Sequence, residues 1–245
     1  VDIDKDTLTI DPNILSKKIS SKTKAIIVVH QFGHSAHMDE IIEIAENHNL
    51  KIIEDNAESI GATYKDKLLG TFGDVSTYSF FGNKIITTGE GGAVLTDNDD
   101  IAIKCRELRD HGMSHKKKYY HVDLGYNYRM TNMQAAVGVG QLQHLNDILS
   151  KRKNQEKRYK KLFAGNKKIC WRPNEEWCDT VHWMSTITLD SKELRDPLIK
   201  YMQSKEIECR QMIYPVHMAA PYKNSNDPNI IFFCKSLKNH HEQQY

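Results

Sequence analysis

The sequence reads Tyr78-Ser-Phe-Phe-Gly-Asn-Lys84-Ile-Ile-Thr-Thr-Gly-Glu-Gly-Gly92 in its first half, which places one lysine between a short aromatic run and a group of small residues. Residues 75–81 predict a strand, and Gly82-Asn83 breaks it directly before Lys84. The glycines that follow allow a sharp turn, or a close approach to a ligand, before residues 93–95 resume a strand. We therefore expect the amine of Lys84 on a turn at the end of a strand.

A second stretch, further upstream, ends a predicted strand in an acid. It reads Leu50-Lys-Ile-Ile-Glu-Asp55-Asn-Ala-Glu58-Ser-Ile-Gly61, an apolar run that gives way to small residues. Ligands of α/β sheets bind in the crevice outside the carboxyl ends of the strands. The acid and the lysine turn are therefore candidates for one site.

The first fifty residues predict a strand–helix–strand unit. Asp11 before Pro12 is typical of a helix N-terminus, with Asp11 as the N-cap. Residues 24–29 form a short apolar run, typical of a strand buried on both faces of a parallel sheet, and residues 38–49 carry apolar side chains at helical spacing. A right-handed crossover between the strands predicts helices packed on both faces of that sheet.

The second half of the chain has a different pattern. Residues 132–163 predict one long helix with an apolar side. The β-like runs at residues 181–189 and 207–213 then lie on either side of a helix predicted over residues 192–205. Such a mixture predicts an α+β unit.

Composition excludes several classes of protein. The 245 residues carry 34 Lys and Arg against 32 Asp and Glu, a net charge of +2 that is too balanced to indicate binding to nucleic acid or an acidic membrane. The five cysteines include no Cys-x-x-Cys pair, so neither a disulfide framework nor a metal site is indicated. No apolar run approaches the roughly 20 residues of a membrane span, and the acidic start is not a signal peptide. We expect a soluble, cytoplasmic protein.

Together the lysine and acid stretches resemble the DegT/DnrJ/EryC1/StrS family of sugar aminotransferases, which use pyridoxal phosphate, and within it the perosamine synthase branch. The resemblance implies an α/β large domain with a mainly parallel sheet, of the aspartate aminotransferase type (fold type I of the pyridoxal-phosphate-dependent transferases). This domain would cover residues 1–150 and be incomplete at its N-terminus. A small α+β C-terminal domain would cover residues 151–245.

The same resemblance assigns the cofactor site. Lys84 would bind the aldehyde of pyridoxal phosphate through its amine and later move a proton. Asp55 would lie against the ring nitrogen and hold its positive charge, and Glu58 would contact the region of the ring hydroxyl. Ser79 would bind the phosphate, and Asn127 would reach the phosphate of the neighbouring subunit, which implies a homodimer with shared active sites.

The residues themselves leave simpler roles open. Most lysines are solvated, Asp55 could be the N-cap of a helix after its strand, and Glu58 could be a surface glutamate. Ser79 could be an ordinary strand residue. If the two acids both ionise close together, the pKa of one of them should rise.

The resemblance also implies a substrate and the residues that bind it. Amino transfer, with glutamate as the donor, would convert the 4-keto group of a nucleotide-linked 6-deoxy sugar to the amine of a 4-amino-4,6-dideoxy sugar, of the perosamine or viosamine type. Arginine suits a diphosphate, and tyrosine suits the face of a base or a sugar. The candidate substrate-binding residues are His30, Arg129, Arg210, Tyr214 and His217.

Two rival functions remain. A related dehydratase carries histidine in place of the lysine, so Lys84 argues against it. Members of the family also have an N-terminal segment that holds the cofactor phosphate at a helix N-terminus, and this segment has no counterpart in the sequence. We expect either part of a longer chain or a truncated, non-catalytic remnant that binds a sugar nucleotide or a partner.

Overall fold

The computed structural model describes residues 1–173, 175–215 and 218–219. The chain divides into two compact units. The larger comprises Ile3–Tyr159 and Pro173–Ser185, and the smaller comprises Val1–Asp2, Lys160–Arg172 and the residues from Thr186 onward. The domain boundary near Ser150 stays a prediction.

Six α-helices and nine strands make up the regular structure of the described residues. The helices are α1 Pro12–Leu15, α2 Met38–Asn47, α3 Asp99–Arg109, α4 Asn132–Gln143, α5 Leu145–Leu162 and α6 Arg195–Gln203. The strands are β1 Ala25–Val29, β2 Lys51–Asp55, β3 Thr63–Tyr64, β4 Lys67–Leu68, β5 Val75–Ser79, β6 Gly92–Leu95, β7 Ile169–Trp171, β8 Cys178–Asp179 and β9 Ile187–Leu189.

A four-stranded sheet in the order β1-β2-β5-β6 forms the centre of the larger unit. The first three strands are parallel, and β6 runs antiparallel to β5. Val29 pairs with Asp55 and Asp55 with Thr77, so the carboxyl ends of the three parallel strands lie side by side. The predicted, mainly parallel sheet is confirmed, and it places the acid at the ligand-binding edge of such folds.

Only one face of β1 is buried by the described residues, which corrects the prediction of burial on both faces. Ile26 and Val28 are buried, whereas 61% of Ile27 is exposed. Helix α2 packs against the neighbouring strand β2, and its Met38 and Ile41 are buried. Side chains alternate between the two faces of a strand, so one covered face leaves every second residue in contact with solvent.

The helix starts predicted at residues 12 and 132 agree with the structure, but one predicted helix is two. Asp11 caps α1 by accepting a hydrogen bond from the Asn13 N–H. Thr131 and Gln134 form a reciprocal capping box at the start of α4. The single helix predicted over residues 132–163 is interrupted at His144, where φ −106° and ψ 9° leave the helical region.

The smaller unit contains less strand than the sequence predicts. β7 and β9 pair antiparallel, with Ile169 opposite Leu189, and α6 follows a short 3₁₀ turn at Lys192–Leu194. The run at residues 207–213 forms no strand, so that prediction is wrong. Of residues 181–189, the last three form β9. A mixed α+β composition is nevertheless observed in the described residues.

Candidate active site

Lys84 lies on the predicted turn at the end of β5. Its backbone N–H donates a hydrogen bond to the carbonyl of Phe81 over 3.0 Å. The following Ile85 and Ile86 are buried and fix the turn against the core. Only 14% of the Lys84 side chain is exposed, so the simpler role of a solvated lysine is wrong.

The Lys84 amine has two neighbours of opposite character. Its Nζ lies 3.6 Å from Oε1 of Glu58 and 4.1 Å from the centroid of the Trp183 ring. A carboxylate and an indole face both attract an ammonium group. The geometry therefore holds the amine at a defined place within a partly desolvated site.

Glu58 is a buried member of this site and not a surface glutamate, since 13% of its side chain is exposed. Its Oε2 accepts a hydrogen bond of 2.6 Å from the Phe32 N–H. The pKa of Glu58 is raised, first by burial and to a smaller extent by the charge of Asp55, against the lowering effects of Phe32 and Lys84. The predicted rise of one carboxyl pKa is confirmed, with burial as its largest cause.

Asp55 ends β2 beside Val29 and Thr77. Its Oδ1 accepts a hydrogen bond of 3.0 Å from the Ala57 N–H. Residues 57–61 form consecutive turns rather than a helix, so the helix N-cap role is wrong for Asp55. The structure thus gives this acid a local turn contact at the strand end, and its role against a cofactor ring stays a prediction.

The predicted phosphate ligands lie at two places in the larger unit. Ser79 is the last residue of β5, and its Oγ accepts a 3.3 Å hydrogen bond from the Phe81 N–H. Asn127 is exposed and pairs with Asp110 in an isolated bridge. Arg129 also contacts Asp110, with 3.2 Å between Nε and Oδ1. The contacts of these side chains with phosphate and substrate stay predictions.

The other predicted substrate residues divide among the core, the smaller unit and the undescribed part of the chain. His30 is fully buried, as described below. Arg210 and Tyr214 are exposed residues of the smaller unit, and His217 lies outside the described residues. The roles of Arg210, Tyr214 and His217 in substrate binding stay predictions. The predicted substrate role of His30 is wrong, because its ring is fully buried and both ring nitrogens are hydrogen-bonded within the fold.

Glu54, the residue before Asp55, holds the loop beside the site, and sequence reasoning missed it. Its carboxylate is fully buried and accepts three backbone hydrogen bonds of 2.7 Å, from the N–H groups of Gly70, Phe72 and Gly73. Burial alone would raise the pKa of Glu54, but the hydrogen bonds outweigh it and the pKa lies below its ordinary value. Strand alternation is the signal that places Glu54 on the face opposite Asp55.

His30 completes this buried cluster. Its Nδ1 accepts a 3.2 Å hydrogen bond from the Ala36 N–H, which leaves the proton on Nε2. Nε2 in turn lies 3.2 Å from Oε2 of Glu54 and donates to it. His30 thus links the end of β1 to β2 and positions the turn that contains Phe32.

Two kinds of feature are absent from the described residues. No group of three or more His, Cys, Asp and Glu side chains in the described part of the chain is arranged to hold a metal ion. Among the helices described, none has both the length and the apolar character that a membrane crossing requires.

Curated relatives match most of this chain. It is 42% identical to the GDP-perosamine synthase of Escherichia coli O157:H7 over 224 residues, which are 91% of this chain and 60% of that protein. Identity to the GDP-perosamine synthase of Caulobacter vibrioides is also 42%, over 91% of this chain and 61% of that one. The chain therefore spans about three fifths of the length of these relatives.

Solved structures share the fold. DesV of S. venezuelae superposes with a TM-score of 0.84 at 31% identity, over 96% of this chain and 64% of that chain. Helicobacter pylori PseC, an aminotransferase involved in the biosynthesis of pseudoaminic acid, gives 0.87 at 26% identity, over 92% and 62%. These likenesses confirm the predicted fold class of the α/β large domain.

The family model of the DegT/DnrJ/EryC1/StrS aminotransferases matches residues 1–237. This match covers both stretches that carry the site, the acid at the end of β2 and the lysine turn after β5. The chain belongs to the DegT/DnrJ/EryC1/StrS aminotransferase family.

Proposed function

We propose that this chain carries the lysine-bearing part of the active site of a pyridoxal-phosphate-dependent sugar-nucleotide aminotransferase. One observation carries the proposal: the Lys84 amine lies in a nearly buried site, 3.6 Å from the Glu58 carboxylate, after a strand of a parallel sheet. An amine of this kind is what capture of an aldehyde cofactor requires. Membership of the family supports the same role.

The residues present fit pyridoxal phosphate. The cofactor has an aldehyde, which Lys84 Nζ can bind covalently, and a ring nitrogen, whose positive charge the Asp55 carboxylate can hold. When bound, the cofactor supplies an electron sink for the carbon that loses its proton. The fit rests on two features. The Lys84 amine is partly desolvated, and the Asp55 carboxylate lies at the end of the neighbouring strand, where Asp55 pairs with Thr77 of β5.

Lys84 and Glu58 are the groups that would move protons. Lys84 takes up or releases a proton at Nζ, and Oε1 of Glu58 is close enough to stabilise the charged amine. Burial raises the pKa of Glu58 above its ordinary value. The Phe32 N–H fixes its second oxygen and thereby orients Oε1 toward Lys84.

The substrate we propose is a nucleotide-linked 4-keto-6-deoxy sugar, with glutamate as the amino donor and a 4-amino-4,6-dideoxy sugar as the product. The relatives that are GDP-perosamine synthases support a sugar of the perosamine type. The residues we propose for the sugar nucleotide are Arg129, Arg210, Tyr214 and His217. His30 is left out because it is fully buried and both its ring nitrogens are hydrogen-bonded within the fold. We place the reaction in the cytoplasm, where free glutamate and nucleotide sugars are available.

We also propose a homodimer in which Asn127 reaches the phosphate site of the neighbouring subunit. Around Asn127, the side chains of Leu124, Tyr128 and Met133 are 80%, 73% and 82% exposed. Apolar and aromatic side chains exposed together are typical of a protein interface. Mixing inactive Lys84→Ala and Asn127→Ala proteins tests the arrangement, because mixed dimers would regain one complete site. Absence of any regained activity, with dimers present in sedimentation, would contradict it.

The amino-transfer function is tested by titrating the 245-residue chain with pyridoxal phosphate and following the visible absorbance. Borohydride reduction and peptide mapping then identify the modified lysine. We expect the label on Lys84, its discharge by glutamate, and loss of the label in Lys84→Ala but not in the exposed control Lys65→Ala. No saturable signal, or a label elsewhere, would overturn the proposal and leave a non-catalytic binding protein as the alternative.

A further inference from the structure

Four residues, one of them Lys84 itself, form a closed ring of contacts. Nζ contacts Glu58 and Trp183 at the distances given above. The Phe32 N–H donates to Glu58, and the Phe32 ring stacks on Trp183 with centroids 6.0 Å apart and planes inclined by 15°. Each of these residues therefore contacts two others, and four separate segments of the chain supply them. These four residues are Lys84, Glu58, Phe32 and Trp183.

Trp183 makes two different contacts with the lysine turn. Its ring face lies under Nζ, and its Nε1–H donates a 2.7 Å hydrogen bond to the carbonyl of Asn83, the residue before Lys84. One buried side chain thus contacts both the amine and the peptide that carries it. A buried indole N–H needs an acceptor in any case, so the contact that goes beyond core packing is the one between the ring face and Nζ of Lys84.

Helix α5 holds Trp183 in place from the other side. Arg152 Nη1 donates a 3.0 Å hydrogen bond to the carbonyl of Trp183. The preceding residue, His182, has φ +49° and contacts Glu156 of the same helix at 3.7 Å. An L-residue adopts a positive φ only when its surroundings hold it there. The indole is therefore fixed before any ligand arrives.

We propose that Trp183 is a positioning residue for Lys84, holding Nζ over its ring and the lysine turn through its Nε1–H. A cation within about 6 Å of an indole centroid is attracted by the ring electrons. A lysine side chain that is ordered in advance loses less conformational entropy when it captures a ligand. The proposal rests on the function proposed above, in which Lys84 is the amine that binds the cofactor.

The first test needs no cofactor. Lysines labelled with ¹³C at the ε position are observed by NMR in the full chain, and Lys84→Ala identifies the signal of Lys84. We expect its ε protons upfield of the other lysine signals, because of the ring current of Trp183. Trp183→Leu should remove this displacement and Trp183→Phe should keep part of it. Trp171→Leu is the matched control, since Trp171 packs on Phe163 in the smaller unit.

The second test is the dissociation constant of pyridoxal phosphate. Trp183→Leu should weaken binding about five- to tenfold, and Trp183→Phe, which keeps a ring face but loses the Nε1–H, about two- to threefold. If Trp183→Leu does not fold, the comparison of Trp183→Phe with the control Trp171→Leu tests the proposal instead. A Lys84 signal at the ordinary lysine position in the wild type, or unchanged signals and affinity in the variants, would overturn the proposal. Failure of the wild type to bind the cofactor would instead contradict the proposed function, and the NMR comparison would still decide the role of Trp183.

Discussion

Oε1 of Glu58 lies 3.6 Å from Nζ of Lys84, and both side chains are nearly buried. A buried acid beside an amine is subject to two opposing effects, because burial disfavours its charge while the neighbouring cation favours it. Burial prevails in Glu58, whose pKa is raised from its ordinary value of 4.5. Glu58 is therefore less acidic than an ordinary glutamate, and it lies beside the Lys84 amine.

The raised pKa of Glu58 predicts how stability depends on pH. The pKa of Glu58 is higher in the folded protein than in the unfolded chain, so Glu58 stays protonated to a higher pH when the protein is folded. The free energy of unfolding should therefore fall as the pH rises from 4.5 through the folded-state pKa. In Glu58→Gln this contribution is absent. We expect the variant to gain stability relative to the wild type between pH 4 and pH 7, as measured by urea unfolding at each pH. A constant difference across this range would show that the pKa of Glu58 is not raised.

Glu54 should behave in the opposite way. Its lowered pKa contributes stability that is present above pH 4.5 and is lost as the pH falls through the folded-state pKa. Glu54→Gln replaces one acceptor oxygen by a donor amide facing backbone N–H groups, so it should cost about 2–4 kcal/mol at pH 7. The cost should shrink in acid. The exposed control Glu46→Gln should change stability by less than about 0.5 kcal/mol, and a similar loss in both variants would contradict the prediction.

Local patterns predicted the parts of the site that depend on neighbouring residues in the sequence. The break at Gly82-Asn83 and the strand end at Asp55 both come from short-range signals. β2 ends at Asp55 as expected, and Gly82-Asn83 lies in a turn, but β5 already ends at Ser79, two residues before the predicted end of that strand. Trp183 could not be found in this way, because it contacts Asn83 from 100 residues further along the chain. Nothing in the local sequence of Trp183 indicates which turn it will meet.

Two wrong predictions, the burial of both faces of β1 and the single helix over residues 132–163, also have physical causes. An apolar run such as residues 25–29 shows that burial is possible but not how many faces are covered, and Ile27 remained exposed. The interpretation of the next strand as an apolar run likewise overlooked Glu54. Its charge is compensated by backbone N–H groups, and no sequence pattern shows these contacts. The break at His144 lacks a glycine or proline, the usual signals of a helix end.

The capping box of α4 gives a prediction about helix stability. Thr131 accepts from the Gln134 N–H, and the Gln134 side chain accepts from the Thr131 N–H. Thr131→Ala removes one of these bonds and should cost about 1 kcal/mol in urea unfolding, while Thr131→Ser keeps the acceptor and should cost clearly less. Equal losses in the two variants would mean that the threonine methyl group, and not the cap, stabilises the helix.

Two glycines with different surroundings give a matched pair of substitutions. Gly33 has φ +81°, and a Cβ there would lie 2.6 Å from Cγ2 of Val181 and 3.1 Å from the carbonyl oxygen of Glu58. Gly33→Ala should therefore cost about 1–3 kcal/mol and disturb the turn that holds Glu58. Gly140, inside α4, has nothing within 4 Å of such a Cβ, so Gly140→Ala should stabilise the protein by about 0.5–1 kcal/mol. Thermal and urea unfolding of both variants measure the two changes. If Gly33→Ala is as stable as the wild type, the turn relaxes freely and does not fix Glu58.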